Sequence, residues 1–429
     1  MTVLCLDIGS TWTKGALVSE AGELLGTAQH PTTPPEVLRG VDSVGGSLNP
    51  AGNPAENPAG RVLACSSAGG GLKLAVVGQE RLVSAEAGYR VALAAGAKVV
   101  HVSAGPLDGA GVRELRAARP DVVLLVGGTD GGDDSVLLHN AGRLGANRLA
   151  CPIVLAGNAE ARPEAERLLA GRTVVPTANV LPDVGELAPG PARAAIREVF
   201  LRHVIGGKGL SRGPRFRRLV RAVTPDAVLT GVSRLAARDR GGAVLVVDVG
   251  GATTDVYSAV STAAGPERVV ALPPDRRTVE GDLGVRWSAG TLVEVAAREK
   301  LIGGAEAAAL RSGAVARSAD VAWLPEDPAA DLRLGVLAAV LAVRRHLALV
   351  EGQLGPRGAG LLVLSGGVFR HAGPVAEVER VLRADPVLRP VLRRAAVTVD
   401  RDHVLAPAGL LADAGLVAAA DRLLARLPG

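Results

Sequence analysis

Aromatic side chains are nearly missing from this sequence: Phe, Tyr and Trp together make up 2% of its 429 residues. Single-stranded nucleic acids are held largely by stacking bases on aromatic rings, so this scarcity argues against such a ligand. The net charge of +5 does not reverse that conclusion. Only five of the 48 basic residues are lysine (Lys14, Lys73, Lys98, Lys208, Lys300), and the abundance of Ala, Gly and Arg fits a GC-rich coding bias. One basic cluster stands out, Arg212, Arg215, Arg217, Arg218 and Arg221, read either as a solvated connector or as a surface for an acidic partner. No nucleic acid is expected as a partner.

Cysteine is scarce as well. Cys5, Cys65 and Cys151 are far apart and odd in number, which excludes a disulfide framework and suits small apolar residues in a reducing cytosol. No apolar run approaches the roughly 18 residues of a membrane span. The longest, Leu334 to Val343, is ten residues and is followed by Arg344 and Arg345. The opening MTVLCLDIGS lacks a basic segment and a small-residue cleavage site, so no signal peptide is expected. The expected location is the cytoplasm, away from membranes. The seven histidines (His30, His101, His139, His203, His346, His371, His403) show no metal-ligand spacing.

What is present is length and a repeated device. A chain of 429 residues exceeds what one hydrophobic core usually supports, so two domains or two similar halves are expected. TVLCLDIG (2–9) reads as a buried strand, and TKGALVS and LLGTAQH, split by EAGE (20–23), read as a meander. Residues 45–60, rich in Gly, Pro and Asn, read as loop. From residue 61 short β-branched runs alternate with helical stretches of about ten residues, the rhythm of parallel βαβ units. LLVGGTDGG (124–132) falls at a strand end there, with glycines suited to an anion. Residues 182–240 read as helix and loop. GGAVLVVDVGGATTDVYSAV (241–260) then repeats the opening device, TVEGDLGVRWSAG (278–290) is a polar glycine turn, and GLLVLSGGVFRHAG (360–373) is a third strand ending in glycines. VLAPAGLLADAGLVAAADRLLARL (404–427) reads as a closing helix.

The two Asp-x-Gly turns carry the chemistry. Backbone N–H groups of a glycine and hydroxyl turn converge on one spot and cradle phosphate. The first turn offers Gly9, Ser10, Thr11, Thr13 and Lys14, and the second Gly250, Gly251, Thr253 and Thr254. Asp7 and Asp248 open them, and two carboxylates across a cleft suit a hydrated Mg²⁺ that neutralises phosphate charge. Gly366 and Gly367 let the backbone lie flat against an adenosine. Asp255 and Asp282 are read equally as site carboxylates or turn residues, and Asp133 or Asp134 as a helix cap. CSSAGGG (65–71) lacks the Gly-x-Ser-x-Gly of a nucleophile elbow.

The three-part pattern resembles the actin-like ATPase superfamily of actin, Hsp70 chaperones and sugar kinases. That resemblance implies an α/β fold of two ribonuclease-H-like halves around a nucleotide cleft, with ATP and Mg²⁺ as cofactors. DIGSTWTK matches its first phosphate motif, DVGGATTD the second and LSGGVF the adenosine motif, while PAGLLADAGLVAA is similar to its second connecting helix. The first connecting helix is placed at about 224–240. The implied domains are 1–240, with an inserted βαβ region at about 97–180, and 241–429. DIGSTWTK, LLVGGTDGG, DVGGATTDVYS and TVEGDLGVR, in this order, further resemble the MutL family of glutamate-mutase-associated proteins, unrelated to the mismatch-repair protein of that name. This resemblance implies an ATP-dependent, chaperone-like reactivase of an adenosylcobalamin-dependent carbon-skeleton mutase. Asp7 and Asp248 would then be its catalytic and metal residues. A small-molecule kinase and a nucleotide-binding scaffold or filament protein remain the alternatives, and a homodimer stays open. No Asp-x-His-x-x-Gly cobalamin loop is present, so cobalamin held by a histidine is not expected.

Overall fold

The computed structural model describes residues 2–48, 61–67, 72–81, 83–95, 97–205, 211, 214–238, 242–260, 275–321, 323–325, 327–350, 354, 357–373 and 375–427. The chain divides into two compact units. One comprises Met1–Ala68, Leu219–Gly265 and Pro274–Gly429, and the other is built on Gly69–Arg218.

Among the described residues the first unit holds two sheets of one design. Strands β1 (Thr2–Ile8), β2 (Trp12–Ser19) and β3 (Leu24–Pro31) form an antiparallel meander, with β4 (Arg61–Ser66) added parallel to β1. The second unit contributes β5 (Lys73–Gly78), β6 (Lys98–Ala104), β7 (Val122–Leu125), β8 (Ile153–Leu155) and β9 (Val174–Pro176) before the chain returns as β10 (Val220–Val223), parallel to β4. The other sheet repeats this with β11 (Ala243–Val249), β12 (Thr254–Ala259) and β13 (Asp275–Glu280) as the meander. β14 (Ala359–Ser365) and β15 (Ala396–Val399) follow in parallel. The orders β10-β4-β1-β2-β3 and β15-β14-β11-β12-β13 coincide strand for strand, which is the ribonuclease-H-like pair of halves expected. The central strands β1 and β11 read TVLCLDI and AVLVVDV because both their faces are covered, and apart from Thr2 and the half-buried Asp248 they are buried throughout.

Between the two sheets lies a core of Val3, Cys5, Cys65, Val246, Tyr257 and Val363 with the helices Thr224–Arg238 and Leu405–Asp413. Those helices touch backbone to backbone. A Cβ on Gly409 would strike the Ala227 carbonyl, and one on Gly231 the Leu405 carbonyl. Two reciprocal glycines therefore permit the crossing. The stretch expected as the first connecting helix is Thr224–Arg238.

Some expectations shift. The closing helix is two, Leu405–Asp413 and Val417–Leu424, broken at Gly415 with φ +84°. Residues 45–48 finish a helix, Leu38–Leu48, whereas 49–60 lie outside the described residues. The stretch read as helix and loop contains β10, a strand too short to leave a periodic signal. Residues 278–280 belong to β13 and not to the turn after it. Arg212 lies outside the described residues, while Arg215, Arg217, Arg218 and Arg221 are exposed. Among the described residues no helix is long and apolar enough to cross a membrane.

The second unit is one parallel sheet, ordered β6-β5-β7-β8-β9, around Val77, Leu125, Leu137, Leu144 and Leu155. Sequential strands leave β5 in opposite directions, so the loops after β5 and β7 diverge at its C-terminal edge.

Candidate functional site

The two halves end their central strands alike. β1 passes Asp7 and turns through Gly9-Ser10-Thr11 into β2, with the Gly9 N–H donating to the Trp12 carbonyl at 2.9 Å. β11 passes Asp248 and turns through Gly250-Gly251-Ala252, with the Gly250 N–H donating to the Thr253 carbonyl at 2.9 Å. Register repeats as well: Asp7 stands opposite Lys14, and Asp248 opposite Asp255. The turns also meet. A Cβ on Gly251 would lie 2.9 Å from the Thr11 methyl carbon, so the two turns approach one another where residue 251 has no side chain.

The paired aspartates differ in surroundings. Asp7 is buried and fully engaged. Thr224 donates its hydroxyl to Oδ1 at 2.6 Å, His403 Nε2 lies 3.1 Å from Oδ2, and Lys14 Nζ is 3.6 Å from Oδ2. Burial alone would raise its pKa. The His403 hydrogen bond, the Lys14 and His403 charges and the Thr224 bond outweigh burial and hold the carboxyl well below the usual carboxylate range. Asp248 is half-buried, and its carboxylate makes no hydrogen bond or ion pair among the described residues. Its neighbour Asp255 is occupied by Arg277, with Nη2 at 2.5 Å and Nε at 2.8 Å. Burial and the Asp248 charge together push the Asp255 pKa up against Arg277.

The remaining expected residues divide. Thr13 and Thr254 are buried under their turns. Thr13 pairs with the Thr32 hydroxyl at 3.1 Å, and Thr254 donates to the Leu283 carbonyl at 2.7 Å. Thr253 donates to Asp255 at 3.2 Å. The amides of Gly9 and Gly250 close their own turns, whereas those of Ser10, Thr11 and Gly251 donate to no backbone carbonyl among the described residues. The polar turn after β13 braces the second cradle: Val285 N–H donates to Gly250 O, and Arg286 and Trp287 N–H both donate to Gly251 O. Asp282 faces Arg345 at 2.9 Å.

The third turn joins the same place. Ser365 pairs with Asp248 in the parallel β11–β14 ladder. Gly366, at φ +110°, lies against the Val249 carbonyl. A Cβ on Gly367 would meet nothing within 4 Å, so this backbone is bare. Gly366 caps the short helix Gly367–Arg370.

The residues fit a hydrated Mg²⁺ that Asp248, without a partner among the described residues, would hold together with phosphate oxygens and waters. No cluster of three metal-ligating side chains exists among the described residues, so an all-protein cage is not what the site offers. Asp7, met by Thr224, His403, Lys14 and the Cys65 thiol at 3.7 Å, suits a supporting role.

Sequence reasoning missed Thr224 and His403. His403 sits at φ +53° between β15 and the helix Leu405–Asp413, and the polar DRDH run between two apolar elements was the available signal. Of the flagged carboxylates in the second unit, Asp133 accepts from the Ser135 N–H at 3.1 Å and so caps its helix. In LLVGGTDGG, Asn158 and Asn179 clasp the loop through Gly131, Gly132, Gly128 and Asp130. Glu160 crowds Gly131, so the surroundings favour hydrogen-bond donors over the anion expected from the glycines.

A family model described as MutL protein matches residues 3–426 of the chain. Protein MutL of Clostridium tetanomorphum is 32% identical over 443 residues, covering 96% of each chain. Among solved structures, a xylulose kinase from Rhodospirillum rubrum is 15% identical over 98% of this chain and 92% of its own, with a TM-score of 0.37. An acetone carboxylase is 16% identical over 66% of this chain, with a TM-score of 0.31, and this chain spans only 48% of it. The fold assignment stands on the repeated strand order rather than on these distant likenesses.

Proposed function

The chain belongs to the MutL family, and from that premise we propose that it binds Mg-ATP between its paired turns and serves as an ATP-hydrolysing accessory protein of an adenosylcobalamin-dependent carbon-skeleton mutase such as glutamate mutase. The observation that carries the nucleotide reading is the approach of Thr11 to Gly251, which brings the two equivalent turns together.

In this reading the amides of Ser10, Thr11 and Gly251 hold the phosphates, and the bare Gly366–Gly367 backbone receives the adenosine. Asp248 holds a bound Mg²⁺, which would supply charge neutralisation on the phosphate oxygens. Asp7, ionised and fixed by Thr224 and His403, holds Lys14 beside the first turn. The halves, joined through the crossing helices, shift relative to one another with nucleotide state. A partner binding one of those states better than the other is thereby driven between conformations. Adenosylcobalamin enzymes that lose their adenosyl group retain dead cobalamin, and opening the mutase permits its exchange.

The test is ATP hydrolysis by the purified chain with and without glutamate mutase inactivated by damaged cobalamin. Hydrolysis stimulated by the mutase, with mutase activity recovered, supports the reading. Phosphorylation of an added small molecule instead would replace it with the kinase.

A further inference from the structure

Arg370 ends the short helix that follows the third turn, and its Nη1 reaches Gln29 Oε1 at 3.4 Å. Gln29 stands opposite Lys14 in β2–β3, and Lys14 opposite Asp7 in β1–β2. Directly opposed residues share a face of the sheet. Asp7, Lys14 and Gln29 therefore form a row across the first half, and Arg370 arrives at its end from the second half.

Its other two guanidinium nitrogens, Nε and Nη2, are buried and have no hydrogen-bond partner among the described residues. They form one edge of the guanidinium fork, the edge that grips two oxygens of a phosphate or carboxylate at once. Among the described residues Arg143 and Arg172 show this only at Nε, Arg317 only at Nη2, and Arg276 at Nε and Nη1, which do not share an edge, so the paired Nε–Nη2 edge stands bare in Arg370 alone. Buried donors are almost always satisfied in native proteins, by protein, water or ligand. Asp7, the carboxylate of this row, is already met by Thr224, His403 and Lys14, and it does not serve the fork. The row of Asp7, Lys14 and Arg370 carries one net positive charge, with two donors of Arg370 side by side.

We propose that Arg370 is a phosphate-binding residue of the nucleotide site, gripping the phosphates closest to the adenosine. The position follows from its neighbours, and the assignment rests on the nucleotide reading above. Arg370 is three residues beyond the Gly367 backbone on one side and at the Asp7–Lys14 row of the first cradle on the other, so it spans the joint between nucleoside and phosphate chain. The phosphates there are common to ATP and ADP.

Calorimetric titration of ATP, ADP and adenosine into the full chain and its Arg370→Ala variant tests this. Loss of a bidentate charge-assisted contact weakens binding by about ten- to a hundredfold. ATP and ADP should both lose that factor, adenosine should bind as before, and Arg370→Lys should recover only part, because an ammonium keeps the charge without the fork. The lysine variant also serves if the alanine chain does not fold, which its thermal midpoint shows. Unchanged ADP affinity in a folded Arg370→Ala chain overturns the proposal, as does an equal loss for adenosine. Loss for ATP alone moves the fork to the terminal phosphate and overturns this placement. Absence of nucleotide binding by the unaltered chain refutes the nucleotide reading itself, a result distinct from any effect of the variant.

Discussion

His403 Nε2 lies 3.1 Å from Asp7 Oδ2 although the two residues are 396 positions apart. The first strand and the penultimate loop of the chain are thus tied at the base of one site. Asp7 is ionised against burial by its partners, so its folded pKa lies below the unfolded value. The sign follows: its contribution to stability is present above about pH 4 and is lost as pH falls through the depressed native value. Asp7→Asn should lower stability by about 2–4 kcal/mol at pH 7, because it leaves Lys14 and His403 facing a neutral amide. Denaturant titrations at pH 7 and pH 3 measure it, with the difference between wild type and variant shrinking at the lower pH.

A second histidine gives a cleaner pH signal. His346 is buried between the Thr278 hydroxyl at 3.0 Å and the Ser258 hydroxyl at 2.9 Å. Burial, helped by Arg276, lowers its pKa to about 3. The unfolded chain takes up a proton below about pH 6.5 while the folded one does not, so stability falls as pH drops through that window. His346→Asn removes this titration. The stability of wild type relative to the variant should decline between pH 7 and pH 4; a constant difference would contradict the assignment.

Asp248 and Asp7 should separate function from folding. Asp248 is half-buried and has no partner among the described residues, so Asp248→Asn should leave the thermal midpoint close to that of the wild type. It should weaken ATP binding in Mg²⁺ by about tenfold or more, while binding in EDTA changes little. A similar loss in both buffers would move the metal elsewhere.

The neighbouring glycines of the third turn make a further pair. Gly366 has φ +110° and lies against the Val249 carbonyl, so Gly366→Ala should destabilise the chain by about 2 kcal/mol or more. Gly367 has open space where a side chain would go. Gly367→Ala should preserve the thermal midpoint and weaken ATP, ADP and adenosine alike, if the adenosine lies on that backbone.

Much of this arrangement was legible in the sequence because it is local. A strand ending in Asp-x-Gly with hydroxyls is written in consecutive residues, so DIGSTWTK and DVGGATTD make both strand-end turns readable. The meanders were legible through their short turns. What escaped depends on the tertiary fold. Thr224 and His403 reach Asp7 from elements far along the chain, and nothing in their own neighbourhoods fixes that meeting. Strand β10 is four residues long, too short for periodicity to register. The break at Gly415 hides among small residues that suit a helix on either side. The opposite surroundings of Asp7 and Asp248 were likewise invisible, since the difference lies in Lys14 against Asp255 at equivalent register positions.

The most direct test of the central claim is calorimetric titration of ATP into the purified chain, with and without Mg²⁺. The account predicts saturable binding of one ATP per chain, strengthened by Mg²⁺, and loss of the Mg²⁺ effect in Asp248→Asn. A folded chain that binds no ATP in the presence of Mg²⁺ would contradict it, and the paired turns would then be strand connections without a ligand.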